Sequence, residues 1–133
     1  MPKPEGTLTA SQLEILEAIW NGPQSGSTVT EIWEAIARQR KLTRTNVLNQ
    51  VDRLEKRGWL RRKKHEYGFR YVATFSRDIT TRGLAEQFLD SFFGGSASEL
   101  VMSLLGSKKL NADEVRRLRE LLPPNHSNPK TKE

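Results

Sequence analysis

The stretch that decides the fold is TRTNVLNQVDRLEKRGWLRRKKHEYGFRYVATF, residues 43–75. Its first apolar positions recur at helical spacing; they are Val47, Val51 and Leu54. Gly58 follows these positions, as glycine commonly follows the carboxyl end of a helix. Beyond it the pattern becomes that of two short strands, 59–63 and 69–75, joined by a charged loop that contains glycine. The stretch therefore predicts a helix followed by a β-hairpin.

Helical patterns with start and stop signals flank this stretch on both sides. The sequence predicts helices from Thr9 to Trp20, Thr28 to Arg38, Thr43 to Arg57, Asp78 to Phe93, Ser96 to Leu105 and Asn111 to Leu122. Capping boxes are expected at the starts of the first, second and fifth of these helices. Three helices, a hairpin and three more helices predict a mainly α fold with a small β-hairpin. This is the order of a winged helix-turn-helix followed by a three-helix region.

Basic side chains are concentrated around the predicted hairpin. Residues 38–77 contain 13 Lys and Arg against 3 Asp and Glu, a net charge of +10, although the whole chain carries +6. Residues 78–133 contain 8 basic and 8 acidic side chains. So localised a positive field indicates a polyanion as the partner. We therefore expect a winged-helix DNA-binding domain over 1–77, a helical dimerisation domain over 78–122 and a disordered tail over 123–133.

Composition and missing motifs exclude several classes of protein. The absence of cysteine excludes disulfides and thiolate sites, and two histidines nearly exclude a histidine-built metal site. We expect no signal peptide, no membrane insertion and a cytoplasmic protein that associates with the nucleoid when bound to DNA. Phosphate-loop, G-x-S-x-G and H-E-x-x-H motifs are missing, so we expect neither catalysis nor a cofactor.

The third helix and the hairpin carry the candidate DNA contacts. Predicted base-reading residues lie on the first turns of the helix, where Asn and Gln suit adenine, Arg suits guanine and Thr suits the thymine methyl group; they are Arg44, Thr45, Asn46, Asn49 and Gln50. Predicted phosphate contacts are Arg53, Arg61, Arg62, Lys63, Lys64 and Arg70. The alternatives are an ordinary solvated helix face and, for Tyr67 and Phe69, a stacking platform for single strands. We expect Phe69 to face the core instead, and the three tryptophans to pack there.

The last three helices carry apolar stripes that short helices cannot bury among themselves. The predicted dimerisation residues are Leu84, Phe88, Phe92, Leu100, Leu104, Leu118 and Leu121. Two copies packed together could bury these stripes. We therefore predict a homodimer.

The sequence resembles the penicillinase-repressor (BlaI/MecI/CopY) family over Leu8 to Leu122. The resemblance is carried by 8–20, by 45–58 with its T-N-V and R-L-E-K-R-G, and by Arg70-Tyr71 leading to Phe75. It implies a bacterial dimeric repressor on a palindromic operator in double-stranded DNA. In antibiotic-responsive members, a membrane sensor protease triggers cleavage within the dimerisation helices, so a protease linked to a membrane sensor is a further implied partner.

The chain departs from the family pattern at several positions. Gln12 stands where members commonly have Glu, and Asn46 where they commonly have a second Thr. The copper-responsive branch is excluded because the chain lacks cysteine. The usual Asn-Phe cleavage site aligns with Ser103-Leu104, so the same protease specificity is not expected. The rival interpretation is a winged-helix protein-interaction module that binds nucleic acid only weakly and without sequence preference.

Overall fold

The computed structural model describes residues 6–121. Its elements are α1 (Ala10–Asn21), α2 (Val29–Ala37), α3 (Arg44–Lys56), β1 (Leu60–His65), β2 (Gly68–Ala73), α4 (Arg77–Phe93), α5 (Ala97–Gly106) and α6 (Ala112–Glu120). The strands form one antiparallel hairpin. This confirms the predicted fold class, a winged helix-turn-helix followed by three helices. The chain divides into two compact units between Ala85 and Glu86, inside α4.

Side-chain caps fix where most of the helices begin. The side chains of Thr9 and Thr28 each accept a hydrogen bond from the backbone N–H three residues on. In return, the side chains of Gln12 and Glu31 accept a hydrogen bond from the backbone N–H of the capping threonine. These reciprocal capping boxes satisfy backbone donors that the first helical turn leaves unpaired. Ser96 makes only half of the box predicted for it, accepting from the N–H of Glu99.

The core of the first unit lies between the three helices and the hairpin. Its buried apolar side chains are Ile15, Leu16, Ile19, Val29, Ile32, Ile36, Val47, Val51, Leu54, Leu60 and Tyr71. The three tryptophans pack against this core half-buried, as predicted. The indole of Trp20 donates to the Phe75 carbonyl and that of Trp33 to the Leu42 carbonyl, so both polar ends are satisfied.

The hairpin differs from its prediction in turn length and in the position of Phe69. β1 runs on to His65, which pairs with Gly68, so the loop contains only Glu66 and Tyr67. The prediction that Phe69 faces the core is wrong, because its side chain is 43% exposed. The part of β2 between Tyr71 and the turn extends away from the core, and Phe69 there lies beneath the guanidinium of Arg62, whose Cζ is 4.2 Å from the ring centre.

A bridge that sequence patterning missed ties the hairpin to the start of α2. Ser27 and Tyr71 exchange two backbone hydrogen bonds, of 3.0 and 2.8 Å. Gly26 allows this approach, because its φ is +104° and an added Cβ would lie 3.0 Å from the Tyr71 carbonyl oxygen. The hairpin is therefore held at its inner end by a third, single-residue strand.

The second unit has no buried side chain in α5 or α6. Large apolar side chains that stay exposed in residues 86–121 are Phe88, Phe92, Val101, Met102, Leu105, Leu118 and Leu121. Phe88 contacts the rings of Phe92 and Phe93 along α4. No helix in the described part of the chain is long and apolar enough to cross a membrane.

Candidate nucleic-acid interface

Three polar side chains on one face of α3 are exposed and unpaired within residues 6–121. Thr45, Asn46 and Asn49 are all exposed, and their side chains bind nothing within residues 6–121. On the opposite face, Val47 and Val51 are fully buried. The helix is thus anchored by its apolar seam and presents free donors and acceptors outward.

Two other predicted base-reading residues are held by neighbouring helices. The Nε of Arg44 donates to Thr30 on α2 at 2.8 Å, while the guanidinium keeps its two terminal nitrogens unpaired. Gln50 is half-buried and accepts a 3.2 Å hydrogen bond from Gln12 on α1. Helical patterning alone places Gln12 in a capping box and assigns no contact to Thr30. No local pattern reports such contacts between helices.

The hairpin presents a continuous basic strand. Arg61, Arg62, Lys63 and Lys64 are all exposed on β1, and Arg53 is exposed on α3. A cleft of about 450 Å³ separates helix from hairpin, with Arg44 and Leu48 on one side and Phe69 and Arg70 on the other. Arg44 is thus the predicted base-reading residue that lines this cleft, and the hairpin side of the cleft comes mainly from β2 rather than from the basic side chains of β1.

Arg70 has a different environment from the other basic residues of the hairpin. One terminal nitrogen donates to the Gly26 carbonyl at 2.8 Å and to a carboxylate oxygen of Glu31 at 3.0 Å. Its side chain is only 22% exposed. The residue was predicted to contact phosphate, and the structure places it where the hairpin meets α2.

The Glu31 carboxylate combines a helix cap with this ion pair. The hydrogen bond from the Thr28 backbone N–H is the main cause that lowers the pKa of Glu31 below its ordinary value of 4.5; burial opposes it, and the Arg70 guanidinium lowers the pKa further. A carboxyl group whose pKa is lowered by folding stabilises the protein above its unfolded-state pKa. That stability is lost as the pH falls through the lower, folded-state value.

Replacing Glu31→Gln should test this contribution through its pH dependence. Gln can still accept the Thr28 N–H, so the cap is kept and only the charge is removed. We expect a small loss of thermal stability at pH 7, which shrinks below about pH 4.5 as the wild-type carboxyl group is protonated. Melting curves between pH 7 and pH 3 measure it; a difference that stays constant with pH would contradict the assignment.

The predicted dimerisation residues differ in how far their side chains are exposed. Phe88, Phe92, Leu118 and Leu121 are exposed, whereas Leu84, Leu100 and Leu104 are half-buried. The aligned cleavage position, Ser103-Leu104, lies within the helical turns of α5, with Ser103 exposed.

Comparison with known proteins identifies the family. The family model described as penicillinase repressor matches residues 8–123. The chain belongs to the penicillinase repressor family. It is 25% identical over 115 residues to the penicillinase repressor of Staphylococcus aureus, covering 86% of this chain and 90% of that protein. It is 24% identical to the methicillin resistance regulatory protein MecI of Mammaliicoccus sciuri, covering 86% and 92%.

Penicillinase repressor family membership makes the chain a DNA-binding repressor of transcription, in a family without enzymatic activity.

Among solved structures, Bordetella bronchiseptica BpsR, described for regulation of its DNA binding by 6-hydroxynicotinic acid, is 25% identical. The match has a TM-score of 0.47 and covers 80% of this chain and 76% of that one.

Proposed function

We propose that the chain is a homodimeric repressor that occupies a palindromic operator and excludes RNA polymerase from it. The observation that carries the proposal is the set of exposed, unpaired polar side chains on α3, Thr45, Asn46 and Asn49, on a helix packed beside the basic strand β1. An α-helix fits the major groove, and a basic ribbon beside it can contact the flanking phosphates. The localised positive charge of residues 38–77 supports a polyanion such as DNA as the partner of this part of the chain.

Different side chains of α3 suit different bases. Asn46 and Asn49 keep both amide atoms free and can bond adenine bidentately, while Thr45 can contact a thymine methyl group. Arg44 is oriented by Thr30 with its terminal nitrogens unpaired, which suits the two acceptors of guanine. We assign Gln50, on the same helix, a base contact as well.

Phosphate contacts would come from the exposed basic side chains around the groove-reading helix. Arg53, Arg61, Arg62, Lys63 and Lys64 are exposed, and we assign them this role. Arg70 instead supports the hairpin, because its terminal nitrogen is bound to Gly26 and Glu31. Phosphate contacts position a protein on DNA without reading its sequence.

A gel shift with the chain's own upstream region and excess competitor DNA tests the proposal. Competitor-resistant binding at nanomolar concentration supports an operator-binding repressor. Binding that is sensitive to salt and indifferent to sequence would contradict it and favour an interaction module that binds nucleic acid weakly.

Two substitutions should separate reading from positioning. Asn49→Ala should weaken cognate binding by ~1–3 kcal/mol and relax specificity at one base pair, because a base-edge contact is lost. Lys63→Ala should weaken all sequences similarly and reduce the salt slope by about one unit, because one phosphate contact is lost. Titrations of cognate and random DNA at several salt concentrations measure both; equal losses for both variants on both DNAs would contradict the placement of α3.

Dimerisation would be provided by the apolar side chains of α4 to α6. The absence of any buried residue in α5 and α6 leaves these helices without a core of their own. A second copy offers the same apolar stripes, and a two-fold interface pairs like with like. Two DNA-binding units joined in this way match the two half-sites of a palindrome.

Release from the operator would follow cleavage within this dimerisation region. A cut between Ser96 and Leu110, for example at Ser103-Leu104, separates α6 from the rest and divides the shared apolar surface. The two DNA-binding units would then dissociate and bind half-sites separately. A protease linked to a membrane sensor is the proposed agent, and the family resemblance is its support.

A further inference from the structure

The amide of Gln12 is fixed in one orientation by three contacts. Its Oε1 accepts the Thr9 backbone N–H at 3.1 Å and a guanidinium nitrogen of Arg57 at 3.4 Å. Both partners can only donate, so the oxygen cannot exchange places with the amide nitrogen. Nε2 of Gln12 is therefore the atom that faces Gln50.

This orientation determines how Gln50 must be turned. The atom of Gln50 that lies 3.2 Å from Nε2 of Gln12 accepts a hydrogen bond, and it is Oε1. Asn and Gln amide orientations are assigned from such networks. Nε2 of Gln50 has no hydrogen-bond partner within residues 6–121, and it is accessible to solvent.

We propose that Gln12 is a positioning residue that makes Gln50 a hydrogen-bond donor only, so that it selects guanine or thymine rather than adenine. Guanine offers N7 and O6, and thymine offers O4, as acceptors in the major groove. Bidentate pairing with adenine needs the amide oxygen and nitrogen side by side at the base edge, and the bond from Gln12 holds the oxygen turned toward α1. The inference rests on the proposed operator binding and adds the chemistry of one base position.

Replacing Gln12→Glu should reverse the polarity of Gln50. A carboxylate can still accept from Thr9 and Arg57, so the cap and its neighbour keep their bonds. It cannot donate, so Gln50 must turn its Nε2 toward residue 12 and present Oε1 outward. Gln50 would then favour cytosine N4 or adenine N6, which donate hydrogen bonds.

Selection of binding sites from a half-site with randomised bases tests this in the full-length chain. The wild-type protein should prefer guanine or thymine at the position that Gln50→Ala makes indifferent. Gln12→Glu should shift that position toward cytosine or adenine by about five- to tenfold, the worth of one hydrogen bond. Gln50→Glu, which also presents an acceptor while Gln12 still donates to it, should shift the same position in the same direction.

The outcomes distinguish this inference from the proposed function. Wild-type protein that selects no sequence would overturn both. Specific binding whose base preferences are all unchanged in Gln12→Glu would overturn only the positioning role. A merely structural role would lower the melting temperature and weaken every sequence alike, without a directional change at one base, so melting curves accompany the selections.

Discussion

A chain that ends at Ala85 is expected to bind the operator about 10²–10⁴-fold more weakly than the intact protein, the usual gain from joining two binding modules. The cut belongs at the boundary between the compact units rather than before α4. Arg77 binds Glu17 and Asn21 of α1, and Thr80 is buried, so the start of α4 is part of the DNA-binding unit. Every buried hydrophobic side chain of residues 6–121 lies between Ile15 and Tyr71, so the shortened chain retains its core.

Controls separate lost association from lost folding. The shortened chain should sediment as a monomer, melt cooperatively and still bind an isolated half-site. Fusing an unrelated parallel dimeric coiled coil after Ala85 should recover most of the affinity, because tethering rather than any contact of α5 or α6 is what was removed. Two results would contradict the proposal that dimerisation provides the operator affinity. One is a full-length chain that sediments as a monomer at micromolar concentration, and the other is a shortened chain that binds as tightly as the intact protein.

Leu54→Ala is expected to lower the free energy of unfolding by about 2–5 kcal/mol, as for other fully buried leucines. The side chain is 0% exposed on α3 and belongs to the core cluster that includes Leu60 of the hairpin. Truncating it leaves a cavity that the packed neighbours can close only in part.

Leu48→Ala makes the same chemical change on the same helix and serves as the matched control. Leu48 is 40% exposed, so the loss should be about 1 kcal/mol or less. Denaturant unfolding of both variants measures the difference. Equal losses would show that α3 does not bury its apolar seam against the core as described.

The sequence could predict those features that depend on neighbours along the chain. Capping side chains lie three residues from the amides they bind, so the starts at Thr9 and Thr28 could be predicted closely. The positive φ of Gly58 agrees with its predicted place after α3. The order of helices and strands then led to the fold class.

Features that depend on distant residues could not be predicted in this way. Strand alternation placed Phe69 in the core, but alternation cannot tell how far a hairpin extends beyond the core it leaves. Gln50 belonged to the polar face of α3 by helical position, yet Gln12, on another helix, decides its orientation. By sequence Arg70 resembles the other basic residues of the hairpin, and its role differs because it binds the Gly26 carbonyl and the Glu31 carboxylate, both 39 or more residues away along the chain.

The bridge between Ser27 and Tyr71 has a consequence for the order of folding. The strands of the hairpin are separated by two residues, and hairpins of this kind close within about 1–10 μs. The bridge, like the bond from Arg70 to Gly26, joins residues 44 apart in sequence, so its loop-closure entropy must be overcome first. The β-hairpin can therefore form early, but its orientation is not fixed until α2 and α3 have packed against it. Nascent chains that have not yet brought these segments together hold the basic strand without the orientation that reading an operator requires.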